Sequence, residues 1–181
     1  MDEDQILIQR YLDGDENSLK MLIDKYTSSV YNFTSRFVKD TEREDIVQEV
    51  FIKVWKKLDS FDKEKSQFKT WLFIIARNTM TDYLRKRKII LFSSLDNEEE
   101  SFAENIEDEI ILPDQALQKL QDKELLDKIL SELRDEYKTV LMLHYQEDMS
   151  FKEIGEVLGK PMNTVKSYHQ RALKILHQKL Q

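Results

Sequence analysis

The stretch Ser150-Phe151-Lys152-Glu153-Ile154-Gly155-Glu156-Val157-Leu158-Gly159-Lys160-Pro161, continued by Met162 to Leu180, decides the fold. Ser150 and Glu153 stand at the spacing of a capping box, in which hydroxyl and carboxylate satisfy each other's orphan backbone donors. A short helix, Phe151 to Leu158, then stops at Gly159, a residue suited to the left-handed position past a helix end. Pro161 fits the first turn of a second helix, where its missing N–H costs nothing. That helix runs to about Leu180 with Val165, Ala172, Leu173, Leu176 and Leu180 turned inward. Two helices joined by so short a turn make a helix-turn-helix. The second helix leaves Asn163, Lys166, Ser167, Gln170, Arg171 and Lys174 facing out, side chains able to reach base edges or phosphates in a major groove.

Working outward, the whole chain of 181 residues reads as all-α. It has only three Gly and two Pro, and 35% of its residues are charged. Long stretches of Leu, Ile, Lys and Glu with few breakers favour helices over a sheet. Towards the N-terminus four helices are predicted, roughly 2–13, 16–39, 42–58 and 67–88. In the second, Leu19, Leu22, Ile23, Tyr26, Val30, Phe33 and Phe37 recur at steps of three or four, one helical face. The third places Ile46, Val47, Val50, Phe51, Val54, Trp55 and Leu58 on its apolar side. The fourth begins apolar with Trp71, Leu72, Ile74 and Ile75 and ends basic at Arg85-Lys86-Arg87-Lys88. Two further helices are expected at roughly 114–132 and 135–146.

The net charge of −7 hides a pattern that matters more than its sum. Residues 1–89 carry a net +1, residues 90–117 carry nine acids and no base, and residues 118–181 carry a net +1. Bases also cluster locally: residues 65–88 hold seven against the single acid Asp82, and residues 160–181 hold five and no acid. Such basic stripes, not the average, attract a polyanion. The acidic stretch repels itself and buries little, so it reads as an extended linker. Three units follow: a first domain over 1–89, an acidic linker over 90–113 and a helix-turn-helix domain over 114–181.

Other classes are set aside by what the chain lacks. Without cysteine there is no disulfide, thiolate zinc site or thiol catalysis. No apolar run approaches the ~20 residues of a membrane span. The acidic start, Met1-Asp2-Glu3-Asp4, has neither the basic nor the apolar region of a signal peptide, which predicts a cytoplasmic protein with no membrane insertion of its own. His144, His169 and His177 lack metal-site spacing and read as surface or phosphate-adjacent residues.

Three stretches together resemble the extracytoplasmic-function (ECF) group of bacterial sigma factors, within the sigma-70 family. They are Asp45 to Trp55, Phe68 to Asn78 with Asp82 to Lys86, and Ser150 to Gly159 with Thr164 to Ser167 and Arg171 to Leu173. In order, and split by an acidic linker, they cover nearly the whole chain. The resemblance implies an alternative sigma factor, not an enzyme and with no cofactor or metal. Its first domain corresponds to region 2, which docks on the clamp helices of RNA polymerase core and captures the −10 element as it melts. Its last corresponds to region 4, which reads the −35 element and packs on the polymerase flap. The linker would thread toward the RNA exit path. An anti-sigma factor, often membrane-anchored, is an expected partner beside core polymerase and promoter DNA.

Residue by residue, the resemblance implies polymerase docking for Asp45, Gln48 and Glu49, which share one helix face opposite the apolar stripe, and for Lys53. For the −10 element it implies Phe61, Phe68, Lys69, Arg77, Asn78, Arg85, Lys86, Arg87 and Lys88. Melted bases are held by aromatic stacking and by hydrogen bonds to their edges. Asn78 offers donors and an acceptor for that, the loop 62–69 would line the pocket, and the arginines and lysines would neutralise phosphates. Core packing is the equal or better reading for Trp71, and Phe68 is ambiguous in the same way. For the −35 element the positions are Asn163, Thr164, Lys166, Ser167, Tyr168, Gln170, Arg171 and Lys174. Asn163 and Tyr168 depart from the family's Gly and Arg, which leaves the −35 sequence open. Leu133-Arg134 departs from its Leu-Pro, which should change only a helix start.

Two other functions fit parts of the chain. A helix-turn-helix regulator with a sensor or dimerisation domain would have no need of the basic, aromatic-containing stretch 61–88. A metal-dependent nucleotide hydrolase could gather Glu42, Asp45 and Glu49 on one helix, but no second carboxylate-rich helix is evident.

Overall fold

The computed structural model describes residues 2–38, 40–92, 129–130 and 132–179, without the side chains of residue 40 and of residues 88–92. The expected linker from residue 93 onward and nearly all of the helix expected over 114–132 lie outside them, although Ile129 and Leu130 are helical. The described residues are helical with no strand: α1 (Glu3–Leu12), α2 (Glu16–Thr34), α3 (Asp40–Lys57), a 3-10 turn (Leu58–Ser60), α4 (Phe68–Phe92), α5 (Asp135–Tyr145), α6 (Phe151–Leu158) and α7 (Met162–Lys179).

The chain turns between α1 and α2 at Gly14, whose φ of 102° lies in the region that favours glycine. Asp15 then caps α2, accepting from the backbone N–H of Asn17 at 3.1 Å and from the Ser18 hydroxyl at 2.8 Å. The buried Asp4 of α1 accepts hydrogen bonds from the Tyr26 hydroxyl and from Lys25 Nζ on α2, so its carboxylate is not left uncompensated. Burial, reinforced by that carboxylate, pushes the Tyr26 phenol well above its ordinary range. Burial alone would lower Lys25, but its bonds to Asp4 and Glu3 outweigh this and raise it.

Helix α2 ends at Thr34, short of the expected 39. There the Thr34 hydroxyl donates to the carbonyls of Val30 and Tyr31, and Ser35 Oγ to that of Asn32. Local side-chain bonds of this kind compete with helix continuation. The chain still returns Phe37 onto Phe33, with ring centroids 5.3 Å apart. Helix α4 runs longer than expected, to Phe92, so the first three residues assigned to the linker, 90–92, are helical. Residues 90–92 contain neither Gly nor Pro to break the helix, and the acidic composition begins only at Asp96.

The apolar faces of α2, α3 and α4 close on one another, with Val30, Phe33, Val50, Val54, Leu72 and Phe73 essentially sealed from solvent. In the second domain Val140, Leu143, Ile154 and Val165 do the same between α5, α6 and α7. Each such side chain contributes ~1.5–3 kcal/mol relative to exposure. The two sets join into one contiguous core, because α6 lies along α4 and α5 touches α2. Trp55 departs from the expected apolar face of α3: it is 52% exposed, its indole N–H donating to the Tyr11 hydroxyl at 2.8 Å.

Candidate nucleic-acid interface

The helix-turn-helix forms as its punctuation predicts. Ser150 Oγ accepts from the Glu153 backbone N–H at 3.3 Å, and Glu153 Oε2 accepts from the Ser150 N–H at 2.8 Å. Gly159 ends α6 in the left-handed region, at φ 63°. Pro161 stands one position before α7, at its N-cap, its carbonyl accepting from the N–H groups of Thr164 and Val165. Val165, Ala172 and Leu176 are buried and Leu173 half-buried, as expected; Leu180 lies outside the described residues.

On the outer face of α7, Asn163, Lys166, Ser167 and Gln170 are exposed, and Thr164, Arg171 and Lys174 are half-buried beside them. These seven form one continuous polar surface. Ser167 Oγ donates to the Asn163 carbonyl at 3.0 Å, which leaves its lone pairs outward. Tyr168 is placed differently, half-buried with its ring 5.4 Å from that of Tyr137. The histidines also differ from surface residues. His144 stacks on Phe151 at 4.5 Å, His169 is hydrogen-bonded to the Tyr145 hydroxyl at 2.9 Å, and the two imidazoles lie 5.3 Å apart. Their ring faces tie α5, α6 and α7 together, a packing role that no spacing rule reveals. His177 alone is exposed.

The first domain carries a second surface on α4. Asn78, Arg85 and Lys86 are exposed on its outer side, and Arg77 is half-buried with its guanidinium donating to the Asn78 side-chain carbonyl at 3.3 Å. Arg85 pairs with Asp82 at 3.1 Å, and Arg87 with Glu42 at 2.9 Å. The Lys88 side chain lies outside the described residues. At the start of α4, Phe61, Phe68 and Trp71 form a mutual aromatic cluster with centroids 5.3–5.7 Å apart. Phe68 is buried in it and also meets Tyr26. Phe61 and Trp71 are half-buried, which makes packing the better account of this cluster. In the loop before α4, Asp62 accepts from Lys65 and from the Glu64 N–H, and these bonds hold its carboxyl below the ordinary range. Lys69 is engaged by the second domain, with Nζ 2.5 Å from the Glu147 carbonyl and 3.0 Å from its carboxylate.

A third surface lies on α3. Asp45, Gln48 and Glu49 are all exposed on one face, and Lys53 closes it from α4's side, 3.4 Å from Glu49 and donating to the Thr79 hydroxyl at 3.2 Å. Asp45, Glu49, Lys53, Asp82, Tyr83 and Lys86 line one shallow groove there. Exposed Ile52 and Trp55 extend the same helix face as an apolar margin; of the two, periodicity assigned Trp55 to the core. Glu42, the third carboxylate of the metal reading, is committed to Arg87. Among the described residues no three ligating side chains gather around a common point.

Known proteins share this organisation. Residues 22–89 match the family model for Sigma-70 region 2, and residues 123–176 match that for Sigma-70, region 4. The chain is 32% identical to the ECF RNA polymerase sigma factor SigW of Bacillus subtilis, covering 96% of this chain and 94% of SigW. It is 31% identical to the ECF RNA polymerase sigma-E factor of Escherichia coli (strain K12), covering 98% and 94%. Among solved structures, the sigma factor RpoE bound to the anti-sigma factor NepR from Bartonella quintana aligns with a TM-score of 0.70 at 26% identity, over 89% of this chain and 95% of that one. CnrH in complex with the cytosolic domain of CnrY aligns with a TM-score of 0.71 over 99% and 97%, at 24% identity, a likeness of fold. Two region-specific matches in the right order, and relatives similar along nearly their full length, show the family: the chain belongs to the ECF sigma factors of the sigma-70 family.

Proposed function

We propose that this sigma factor carries bacterial RNA polymerase core to specific promoters, with the first domain, through the end of α4 at Phe92, docking on core and reading the −10 element, the acidic stretch up to residue 113 as linker and 114–181 reading the −35 element. The observation that carries this reading is the similarity to SigW along 96% of the chain, together with three separate exposed surfaces on α3, α4 and α7. On α3, Asp45, Gln48 and Glu49 present acceptors toward the polymerase clamp, with Lys53 at their edge. On α4, Asn78 is placed to hydrogen-bond an unstacked base, and Arg77, Arg85, Lys86, Arg87 and Lys88 supply positive charge for the backbone. The aromatic group around Phe61 and Phe68 stands at the opposite, N-terminal end of α4, where it packs the preceding loop onto the helix. On α7, Asn163, Thr164, Lys166, Ser167, Gln170, Arg171 and Lys174 meet the major groove, while Tyr168 acts from behind by packing.

Such a protein works by binding and makes or breaks no covalent bond. Capturing unstacked bases offsets the stacking lost on opening, ~1.4 kcal/mol per base-pair step. It acts in the cytoplasm, where core polymerase is; among the described residues no helix is long and apolar enough to cross a membrane. An anti-sigma factor is a fitting partner, since NepR and the cytosolic domain of CnrY occupy structurally similar proteins. A helix-turn-helix regulator with a sensor domain would leave the α3 face without a partner. Gel filtration of the chain with purified core polymerase tests the reading: co-elution as a stoichiometric complex is expected, and separate elution at micromolar concentrations would contradict it.

A further inference from the structure

The loop between Phe61 and Phe68 is fixed at both ends. Phe61 closes the 3-10 turn, its N–H donating to the Leu58 carbonyl at 3.0 Å, and its ring meets those of Phe68 and Trp71. At the other end the Gln67 carbonyl accepts from the Trp71 N–H at 3.1 Å, which opens α4. The middle of the loop depends on one residue. The Asp62 carbonyl accepts from the Lys65 N–H at 3.1 Å. One oxygen of its carboxylate accepts from the Glu64 N–H at 3.0 Å, and the other lies 3.1 Å from Lys65 Nζ. Among the described residues, Asp62 and its partner Lys65 are the only side chains of residues 62–67 engaged in a hydrogen bond or ion pair. The Lys65 ammonium, helped by the Glu64 N–H, holds the Asp62 carboxyl below its ordinary range, so it is ionised and both bonds persist at neutral pH. Lys63, Glu64 and Gln67 are exposed around this turn, and Ser66 is half-buried.

A base is told from its competitors by the polar groups that the wrong one leaves unpaired. A loop free to rearrange repairs such a mismatch, as the re-packing surfaces of promiscuous binders do. A loop held in one shape does not. We propose that Asp62 is a positioning residue for −10 recognition: it holds residues 62–67 in a single turn, so that Ser66 and Gln67 meet an unstacked base from fixed places, and the sharpness of base preference there depends on it. The inference rests on the assignment of this loop to −10 reading and adds to it the residue that gives the loop its shape. Asp62 is itself an acid, the wrong charge for a phosphate contact, while Lys63, Lys65 and Lys69 follow it in sequence. Its place in a basic stretch is accounted for by the bonds it makes within the loop, not by a contact with DNA.

Two substitutions separate shape from charge. Asp62→Asn keeps an acceptor for the Glu64 N–H and loses the charge that meets Lys65, whereas Asp62→Ala loses both. Each removes one negative charge, so a purely electrostatic effect on DNA binding would be the same in both. The loop is followed first in the free full chain, by solvent exchange of backbone amides in NMR. Exchange at Glu64 is expected to be slower than at Lys63, whose N–H has no partner among the described residues. The difference should survive in the Asn variant and vanish in the Ala variant. Each chain is then bound to core polymerase and titrated with single-stranded −10 probes carrying each of the four bases at each position. At one position the ratio of best to worst base is expected to fall about threefold in the Ala variant, the scale of exposed pairs. The Asn variant should keep the wild-type ratio, and the other positions should not move. Fast exchange at Glu64 in the wild type overturns the proposal. So does an Ala variant whose loop is loosened but whose preference is unchanged, or a preference flattened alike in both variants. A wild-type complex with no base preference at any position would contradict −10 reading itself, and the inference with it. The amide exchange needs neither core nor promoter, so the two failures are distinguishable.

Discussion

The carbonyl oxygen of Lys160 lies 2.7 Å from where a Cβ on Gly155 would stand. Gly155 in turn accepts the Lys160 N–H at 2.9 Å, so the helix-turn-helix turn folds directly onto the α6 backbone. The close atom is main chain and has no rotamer to yield. Gly155→Ala should gain helix propensity of about 1 kcal/mol but lose more to overpacking, for which about 1–3 kcal/mol is typical and the upper part of that range applies here. Urea unfolding is expected to show net destabilisation and weaker binding of duplex promoter DNA. Equal or greater stability would show that the turn can move away.

The capping box at the other end of α6 makes a milder prediction. Ser150→Ala removes the acceptor for the Glu153 N–H and is expected to cost about 1 kcal/mol, whereas Ser150→Thr, which keeps the hydroxyl, should cost only a few tenths. Denaturant midpoints of the two variants check this, and equal losses would place the cost elsewhere than in the cap.

Alkaline stability should report the Asp4, Lys25 and Tyr26 cluster. Tyr26 and Lys25 are both raised in the folded chain above their ordinary values of 10.0 and 10.5. Above about pH 10 the folded state therefore holds protons that the unfolded state has released, and stability present below that pH falls as pH rises. Tyr26→Phe removes one of the two groups. Its stability should decline less steeply between pH 10 and pH 11 than that of the wild type, measured by thermal unfolding across that range. Parallel declines would contradict the burial of the phenol.

Arg85 and Lys86 are exposed on the outer side of α4. If they meet phosphates, replacing both with Ala should lower the slope of log affinity against log salt by about 1.4 for a single strand, at about 0.7 per contact. Fluorescence titrations of single-stranded DNA at several salt concentrations measure it. An unchanged slope would leave these bases as a solvated helix end favoured by the helix dipole.

Much of this was legible in the sequence because it is local. Ser150, Glu153 and Gly159 act on neighbours within one or two turns, and they form the cap and the left-handed stop that their spacing predicts. The exposed Asp45, Gln48 and Glu49 follow from helical periodicity in the same way. Trp55 shows where that rule stops: its step matches the apolar face of α3, but no element covers it, and the Tyr11 hydroxyl satisfies its indole instead. Phe68 and Tyr168 are buried or half-buried by rings distant in sequence. Lys69 and Glu147 are 78 residues apart, and Gly155 meets the Lys160 carbonyl only through the turn's shape, so neither relationship leaves a periodic trace.

The most direct test of the central claim is transcription in vitro with purified core polymerase on a promoter pool, comparing the chain with an Asp45→Ala/Glu49→Ala variant. Both residues are exposed and outside the core, so the variant should unfold at the wild-type denaturant concentration. The account predicts specific transcripts that depend on the wild-type chain and are lost in the folded variant. Absence of transcripts from the wild type, with core active alongside another sigma factor and no inhibitor present, would contradict it.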